Sequence, residues 1–543
     1  MHKIFLFVKK YHLELIISTL AFILAWWLMF STFSYNNNSI GISTKAWSDF
    51  ASHVPLIRSF SLGNNFPPQY PLFAGPPIKY HFLFYAGVGL LEKIGLRIDY
   101  ALNIPSILGF VFLIIMIYLF AKQIFKSKVV GILSIFLFLF NGSLSFLNYF
   151  LKHPLSVNSP LQIFSNTTFP SFGPYDQSIV SAFWNFNIYT NQRHLALSYA
   201  LSLLIIYLFL RFKDENRILN FKKSFFIGVI FGLSFMLNIA VFLMTLILLI
   251  CLTIFLSKKR IYILTSIIIA SLIALPQYLY IQSGVSTSNI SINVGYLVNN
   301  LNLINFINYW FQNLGFHLIL IPLGLFVANK LSRKIFISFL TLFIIGNLVQ
   351  FSPEIAANHK FFNYFMIVGV MFSSYFLIYL WNKKRYLKPA VIILIFLLTF
   401  SGIIDFFPIY NDTKIYIADY QKNPKVNWIL KNTKPASVFL NSQYLYDAAS
   451  LAGRKVFFGW PYFAWSQGYD THSRGNSRDV IFATKSKIDA CNLLKENNIN
   501  YIELNFINPG NDVPNISNIY KREFSPSYAE GGNIVIDVKK NCI

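Results

Sequence analysis

Long uncharged apolar runs constrain this chain more than any motif, because backbone entering hydrocarbon must satisfy its own hydrogen bonds as helix or closed barrel. Crossing ~30 Å of hydrocarbon takes about 20 helical residues. Runs near that length occupy 12–32, 101–121, 128–148, 192–212, 261–281, 313–330, 335–351, 363–381 and 388–407. The run 223–256 is too long for one span and reads as a tight hairpin, 223–238 and 239–256, turning near Asn238. Hydrophobic residues make up 55% of the chain and charged residues 12%, against about 25% charged in soluble domains. An ordinary soluble enzyme, a disordered chain and a fibrous one are therefore excluded. The expected fold class is an α-helical polytopic membrane protein of about 11 spans, a count read from these runs.

The formal charge of +24 would suggest a nucleic-acid partner in a soluble protein. Here it sorts by side. The pieces 1–10, 122–128, 211–223, 258–260, 330–334 and 382–388 carry 21 Lys and Arg, with Asp214 and Glu215 as their only acids. By the positive-inside rule these pieces are cytoplasmic. On the other side, 282–312 has no charged residue and 149–191 has only Lys152 and Asp176. The N-terminus is therefore expected inside as a signal anchor, and the C-terminus outside. Most of the excess charge is an insertion signal, and no nucleic-acid partner is implied. The stretch 81–96 holds Glu92 and Lys93; a crossing there would turn Lys122, Lys126 and Lys128 outward. It is read as an interfacial or re-entrant outer helix, which leaves 33–100 as one long outer loop.

Two parts are expected: a transmembrane domain over 1–407, with outer loops 33–100 and 149–191, and an extracytoplasmic α/β domain over 408–543. Residues 405–543 return to a soluble balance, with 16 Lys and Arg against 13 Asp and Glu. Helices are expected at 424–432 and 486–498, and strands at 436–440, 454–458, 500–505 and 533–538. Cys491 and Cys542 lie there, in a compartment that permits disulfides; a bridge and two unpaired thiols both stay open. The three Cys of the chain exclude a disulfide scaffold or a Cys-based zinc module.

Both long outer loops exceed ordinary connections. In the first, Trp47, Phe50, Val54 and Ile57 fall at helical spacing, interrupted near Pro55, while Asp49 and His53 share another face. A helix lying on the membrane would hold Asp49 at the lipid–water boundary, placed to take a proton from a hydroxyl. The alternative is an N-terminal Asp that satisfies backbone N–H groups or pairs with His53 or Lys45. The Pro-rich stretch 63–81 is a rigid extended loop that delivers Lys79, Tyr80 and His81. It either positions polar groups over a cavity or packs as structure. Arg193 and His194 close the second loop at the outer end of a span, as interface anchors or phosphate ligands. Glu354 and Lys360 share a short outer loop, as a salt bridge or as substrate contacts. The stretch 459–479 is expected to be a long loop rich in aromatics, with Trp460, Arg474 and Arg478 suited to sugar or phosphate recognition or to an interface. Phosphate-cradling, zincin and nucleophile-elbow motifs are absent from the sequence.

Taken together these residues resemble the GT-C superfamily of polytopic glycosyltransferases. The resemblance rests on one inward-starting span, a long outer loop with Trp47-Ser-Asp49, and Pro76-Pro-Ile-Lys-Tyr80-His81 at the end of the strap. It extends to Asn191–His194, Asn358–Phe361 and Gly459–Asp479, and points particularly to the bacterial mannosyltransferase- and arabinosyltransferase-like (RgtA/B/C/D-like) group, within it to bacterial and archaeal members. It implies a multi-pass plasma-membrane enzyme that moves a sugar from a polyprenyl-phosphate donor to a glycan, lipid or protein acceptor on the outer face, for envelope polysaccharide biosynthesis. Asp49 would be the catalytic base, with inversion at the anomeric carbon. Many members carry paired acids in this loop; here His53, one turn on, would share the proton or orient Asp49. A divalent metal is therefore left open, and Asp176 is the only second-loop acid that could supply a partner. Lys360, Arg193, His194 and Lys79 would face the donor phosphate, and Tyr80, His81, Glu354, Trp460, Arg474 and Arg478 the substrates. The alternatives are a lipid-carrier flippase, which charge-free spans without repeats disfavour, and a GT-C-like scaffold that has lost activity.

Overall fold

The computed structural model describes residues 2–173, 179–180, 183–184, 186–212, 216–283, 290–505 and 516–542, with side chains from Lys10 onward. Two compact units emerge. The first comprises Met1–Ser31, Pro105–Leu275 and Ile290–Thr413; the second comprises Thr32–Ile104, Pro276–Asn289 and Lys414–Ile543. Residues 33–100, expected to be one long outer loop, thus fold into one unit with the C-terminal segment.

Among the described residues, seven helices are long and apolar enough to cross a membrane: Lys10–Thr32, Ile98–Phe125, Arg217–Met236, Ser257–Gln282, Lys330–Leu348, Ile355–Lys383 and Arg385–Tyr410. Lys128–Leu139, Leu195–Leu210 and Ile239–Phe255 are apolar but shorter. The hairpin expected at 223–256 turns where predicted, since Asn238 leaves helical geometry and caps the next helix by accepting from the Val241 N–H.

Two of the expected spans are broken instead. The run at 313–330 becomes the pair Leu303–Leu314 and His317–Val327, bent by 87°. The bend sits at Gly315, with φ +53°, where a Cβ would come within 1.9 Å of the Gly142 carbonyl oxygen. Only glycine allows both that dihedral and that approach. The run at 128–148 stops at Leu139, because Phe140 turns extended and the Asn141 side chain takes the Ser143 N–H. It resumes as Ser145–Lys152. The helix His359–Lys383 is the core of this unit. Apolar residues cover all its sides, and Val370 and Leu377 pack with Leu137, Leu320, Val391 and Leu398, as expected of a helix without a polar face.

The second unit carries two sheets. Phe33–Asn36 and Ser39–Ser43 form a hairpin turned by Asn37 and Asn38, both at positive φ, and Lys414–Ala418 pairs antiparallel with its second strand. Positive φ at both turn positions matches the right-handed twist of the strands, and Asn tolerates it. The larger mixed sheet runs in the order Lys455–Val456, Val438–Asn441, Tyr501–Asn505, Asn533–Asp537, Tyr528–Glu530. Its first two pairings are parallel and its last two antiparallel. Helices Pro424–Asn432 and Lys487–Glu496 match expectation, and Cys491 is bonded to Cys542. The expected loop at 459–479 instead contains helices Pro461–Ser466 and Thr471–Ala483, the latter capped by Asp470 on the Ser473 N–H.

Candidate functional site

The helix Trp47–Ser61 organises the second unit. It runs through Pro55 without a break; the missing N–H costs one helical bond, and packing outweighs it. Phe50, Val54, Leu56, Ile57 and Phe60 are all buried, each stabilising by roughly 1.5–3 kcal/mol. Almost everything from Phe50 to Ser61 is buried, so this helix is enclosed by protein rather than lying on a membrane as expected. Asp49, on its exposed first turn, stays half-buried.

The C-terminal end of the helix is pinned by charge. Arg58 is 1% exposed and lies 2.8 Å from Asp419 and 3.3 Å from Glu92. Ser61 donates to Glu92 at 2.6 Å. Burial raises the Glu92 carboxyl above its ordinary range, while Arg58 and Ser61 oppose that rise. Glu92 belongs to helix Leu83–Lys93. At 11 residues and 1.5 Å per residue this helix falls short of a membrane crossing.

Aromatic groups surround Asp49. The Tyr446 hydroxyl donates to the Trp47 carbonyl at 2.5 Å, and their ring centroids lie 4.3 Å apart. Burial raises the phenols of Tyr80 and Tyr446 well above the ordinary tyrosine value, and the nearby Asp49 charge raises both further. These two neutral hydroxyls therefore share surroundings with the carboxylate. Ser52, one turn along, meets the Tyr70 hydroxyl at 2.9 Å. His53 is buried, stacked on Tyr85 at 4.6 Å and edge-on to Phe50.

The Pro-rich strap is held by the region 459–479. The Lys79 backbone N–H donates to the Tyr469 hydroxyl at 2.9 Å, and its ammonium donates to the Gly468 carbonyl at 3.0 Å. Burial lowers the Lys79 pKa. The Tyr80 ring lies tilted against the buried His81, with centroids 3.8 Å apart. Arg474 donates to the Ala74 and Phe457 carbonyls and lies between the Phe73 and Phe457 rings. Arg478, fully buried, donates to the Tyr444 hydroxyl at 2.8 Å and crosses its ring. Trp460 meets Tyr444 edge-on at 5.6 Å. The strap and this aromatic region, singled out separately in the sequence, are thus one construction.

In the first unit two further motifs come together. Gln192 and His359 contact at 3.5 Å, and Tyr199 donates to the Lys360 carbonyl at 2.8 Å. Asn363 lies 3.1 Å from the other His359 ring nitrogen, and Phe183 stacks on that ring. Arg193 is 1% exposed, with bonds to the Thr190 and Met29 carbonyls and a contact to the Met29 sulfur. His194 is buried, and its carbonyl accepts from Ser198. Glu354 caps the turn Ile355–Asn358 through the Ala356 N–H, while Lys360 is half-buried.

Asp176 lies outside the described residues. Among the described residues, no three His, Cys, Asp or Glu side chains converge as metal ligands. Sequence reasoning missed Tyr70, Tyr444 and Tyr446. In a chain with 31 Tyr, no periodicity marks the few that meet Ser52, the Trp47 carbonyl or the Arg478 guanidinium.

No protein-family model matches the chain, and no curated protein matches it. Among solved structures, the apo oligosaccharyltransferase of Archaeoglobus fulgidus is similar, with a TM-score of 0.50 at 12% identity, over 92% of this chain and 70% of that one. The archaeal oligosaccharyltransferase AglB from the same organism, in complex with an inhibitory peptide and a dolichol-phosphate, gives 0.48 at 12% identity, over 91% and 69%. At this identity the likeness is one of fold alone: the chain folds like that archaeal oligosaccharyltransferase over most of its length.

Proposed function

We propose that the protein is a membrane glycosyltransferase that moves a sugar from a polyprenyl-phosphate-linked donor to an acceptor on the outer face of the plasma membrane. The observation that carries this reading is Asp49, a half-buried carboxylate on the first turn of a protein-enclosed helix whose start is held by Tyr446 at the Trp47 carbonyl. The GT-C fold supports it by analogy. Asp49 takes the proton of the acceptor hydroxyl as that oxygen attacks the anomeric carbon. The bond from that carbon to the donor phosphate oxygen breaks, its electron pair leaves on the phosphate, and the configuration inverts. The step as written uses one carboxylate as the base.

In this reading the long apolar helices cross the membrane, the N-terminus is cytoplasmic, and both the first outer loop and residues 408–543 lie outside. Lys360 contacts the donor phosphate, because the residue is half-buried while its backbone is fixed by Tyr199. Arg193 and His194 are buried and hold the segment that carries Gln192 against His359. Lys79 and Arg474 spend their described donors on carbonyls and rings and so keep the strap in place, while Arg478 holds the segment from Asn441 to Tyr444. The fold likeness supports the GT-C level of the resemblance; the mannosyltransferase-like subgroup remains part of the proposal. Asp49→Asn is expected to lower transfer of radiolabelled sugar from a polyprenyl-phosphate donor by about 10²–10⁴-fold, while membrane insertion and thermal stability are retained. Undiminished transfer would reject the mechanism.

A further inference from the structure

A cavity of about 440 Å³ lies where the start of helix Pro424–Asn432, the segment Gln443–Ala448 and the hairpin Tyr528–Asn533 meet, all within the second unit. Its volume falls within the range of sites for ligands of roughly two dozen non-hydrogen atoms. Amides dominate the lining: Asn423, Gln443, Asn505 and Asn533, joined by Lys425 and Glu530. The rings of Tyr446 and Tyr528 complete it. An amide presents donors and an acceptor together, and a ring offers an apolar face. Interleaved in this way they match a ligand whose hydroxyls both donate and accept around a carbon ring.

The charges argue for a neutral ligand. Lys425 is paired with Glu503 at 2.7 Å and donates to Asn533 at 3.0 Å. Glu530 accepts from the Tyr528 hydroxyl at 2.5 Å. The cation is compensated in place, so the lining has little to attract a phosphate. Tyr446 connects the cavity to the chemistry, because it lines the cavity while its hydroxyl holds the Trp47 carbonyl, two residues before Asp49.

We propose that this cavity is a saccharide-binding subsite that takes a neutral glycan of about two sugar rings and makes a glycan the acceptor class. The assignment of that glycan as acceptor rests on the transferase reading above; the binding of saccharide does not. The test uses the full chain in lipid nanodiscs and saturation-transfer NMR. The probes are maltose, cellobiose and α-1,2-mannobiose, alongside glucose 6-phosphate and an Asn-containing tripeptide. At least one neutral disaccharide is expected to bind, with its Kd raised tenfold or more by Gln443→Ala and by Glu530→Gln. Gln443→Glu, which keeps the shape and adds a charge, should weaken it comparably. The absence of disaccharide binding, displacement of the sugar by the peptide or the phosphosugar, or unchanged affinity in folded variants would overturn the proposal. Asp49→Asn should keep disaccharide affinity within about twofold. Transfer that survives Asp49→Asn therefore rejects the transferase mechanism with the subsite intact, and lost saccharide binding beside active wild-type transfer rejects only the subsite.

Discussion

Arg58 and Arg193 are equally buried, each 1% exposed, and the two units meet that cost differently. In the second unit Arg58 sits between the carboxylates of Asp419 and Glu92. In the first unit, where acids are scarce, Arg193 turns its described donors to the Thr190 and Met29 carbonyls and the Met29 sulfur. Taking a guanidinium out of water is costly in either setting. Compensation by carboxylates makes a charge network whose members depend on one another. Compensation by carbonyls and soft sulfur fixes the backbone and leaves few charges behind when the arginine is removed.

That contrast can be broken by experiment. Arg58→Ala strands Glu92 and Asp419 as buried anions and is expected to destabilise the second unit by about 3–5 kcal/mol, read as proteolysis of the C-terminal region in detergent. Arg193→Met leaves carbonyl oxygens unsatisfied and is expected to cost about 1–3 kcal/mol. Equal losses would erase the distinction. Lys360→Ala, under the proposed phosphate role, should raise the donor KM about tenfold with less effect on acceptor KM; an unchanged donor KM would contradict that role.

A subtler effect concerns Asp447, whose carboxyl burial and the neighbouring Glu503 charge push up to about 7. An acid held above its unfolded value of about 4 favours the folded state only while protonated. Stability of the second unit should therefore fall as pH rises from about 4 to about 7. Asp447→Asn, which keeps the cap on the Ser450 N–H, should flatten that fall in a melting profile against pH. An unaltered profile would mean that another group carries the dependence.

Much of the fold was legible where local rules govern. Helix Pro424–Asn432, the strands near 500–505 and 533–538, the turn at Asn238 and the helix carrying Asp49 all follow from periodicity, caps and composition. The broken spans were not legible, because nothing local to Gly315 shows that the Gly142 carbonyl will press against it. The helices inside 459–479 were hidden by Gly, Ser and Asn, whose low helix propensity tertiary packing overrode. For the candidate site, the polar residues of the segments read as outer loops were singled out by their scarcity. Their partners, Tyr446 for the Asp49 helix and Tyr444 for Arg478, lie far off in sequence and carry no signal of their own.

The Arg58–Asp419 bond joins residues 361 positions apart in the chain. At synthesis rates of about 5–20 residues per second, the helix bearing Asp49 waits roughly 20–70 s for the segment that locks its far end. During that interval every intervening apolar segment is made. Completion of the ion network around Arg58 thereby waits for residue 419, so a chain truncated before that residue holds this helix end through Glu92 alone.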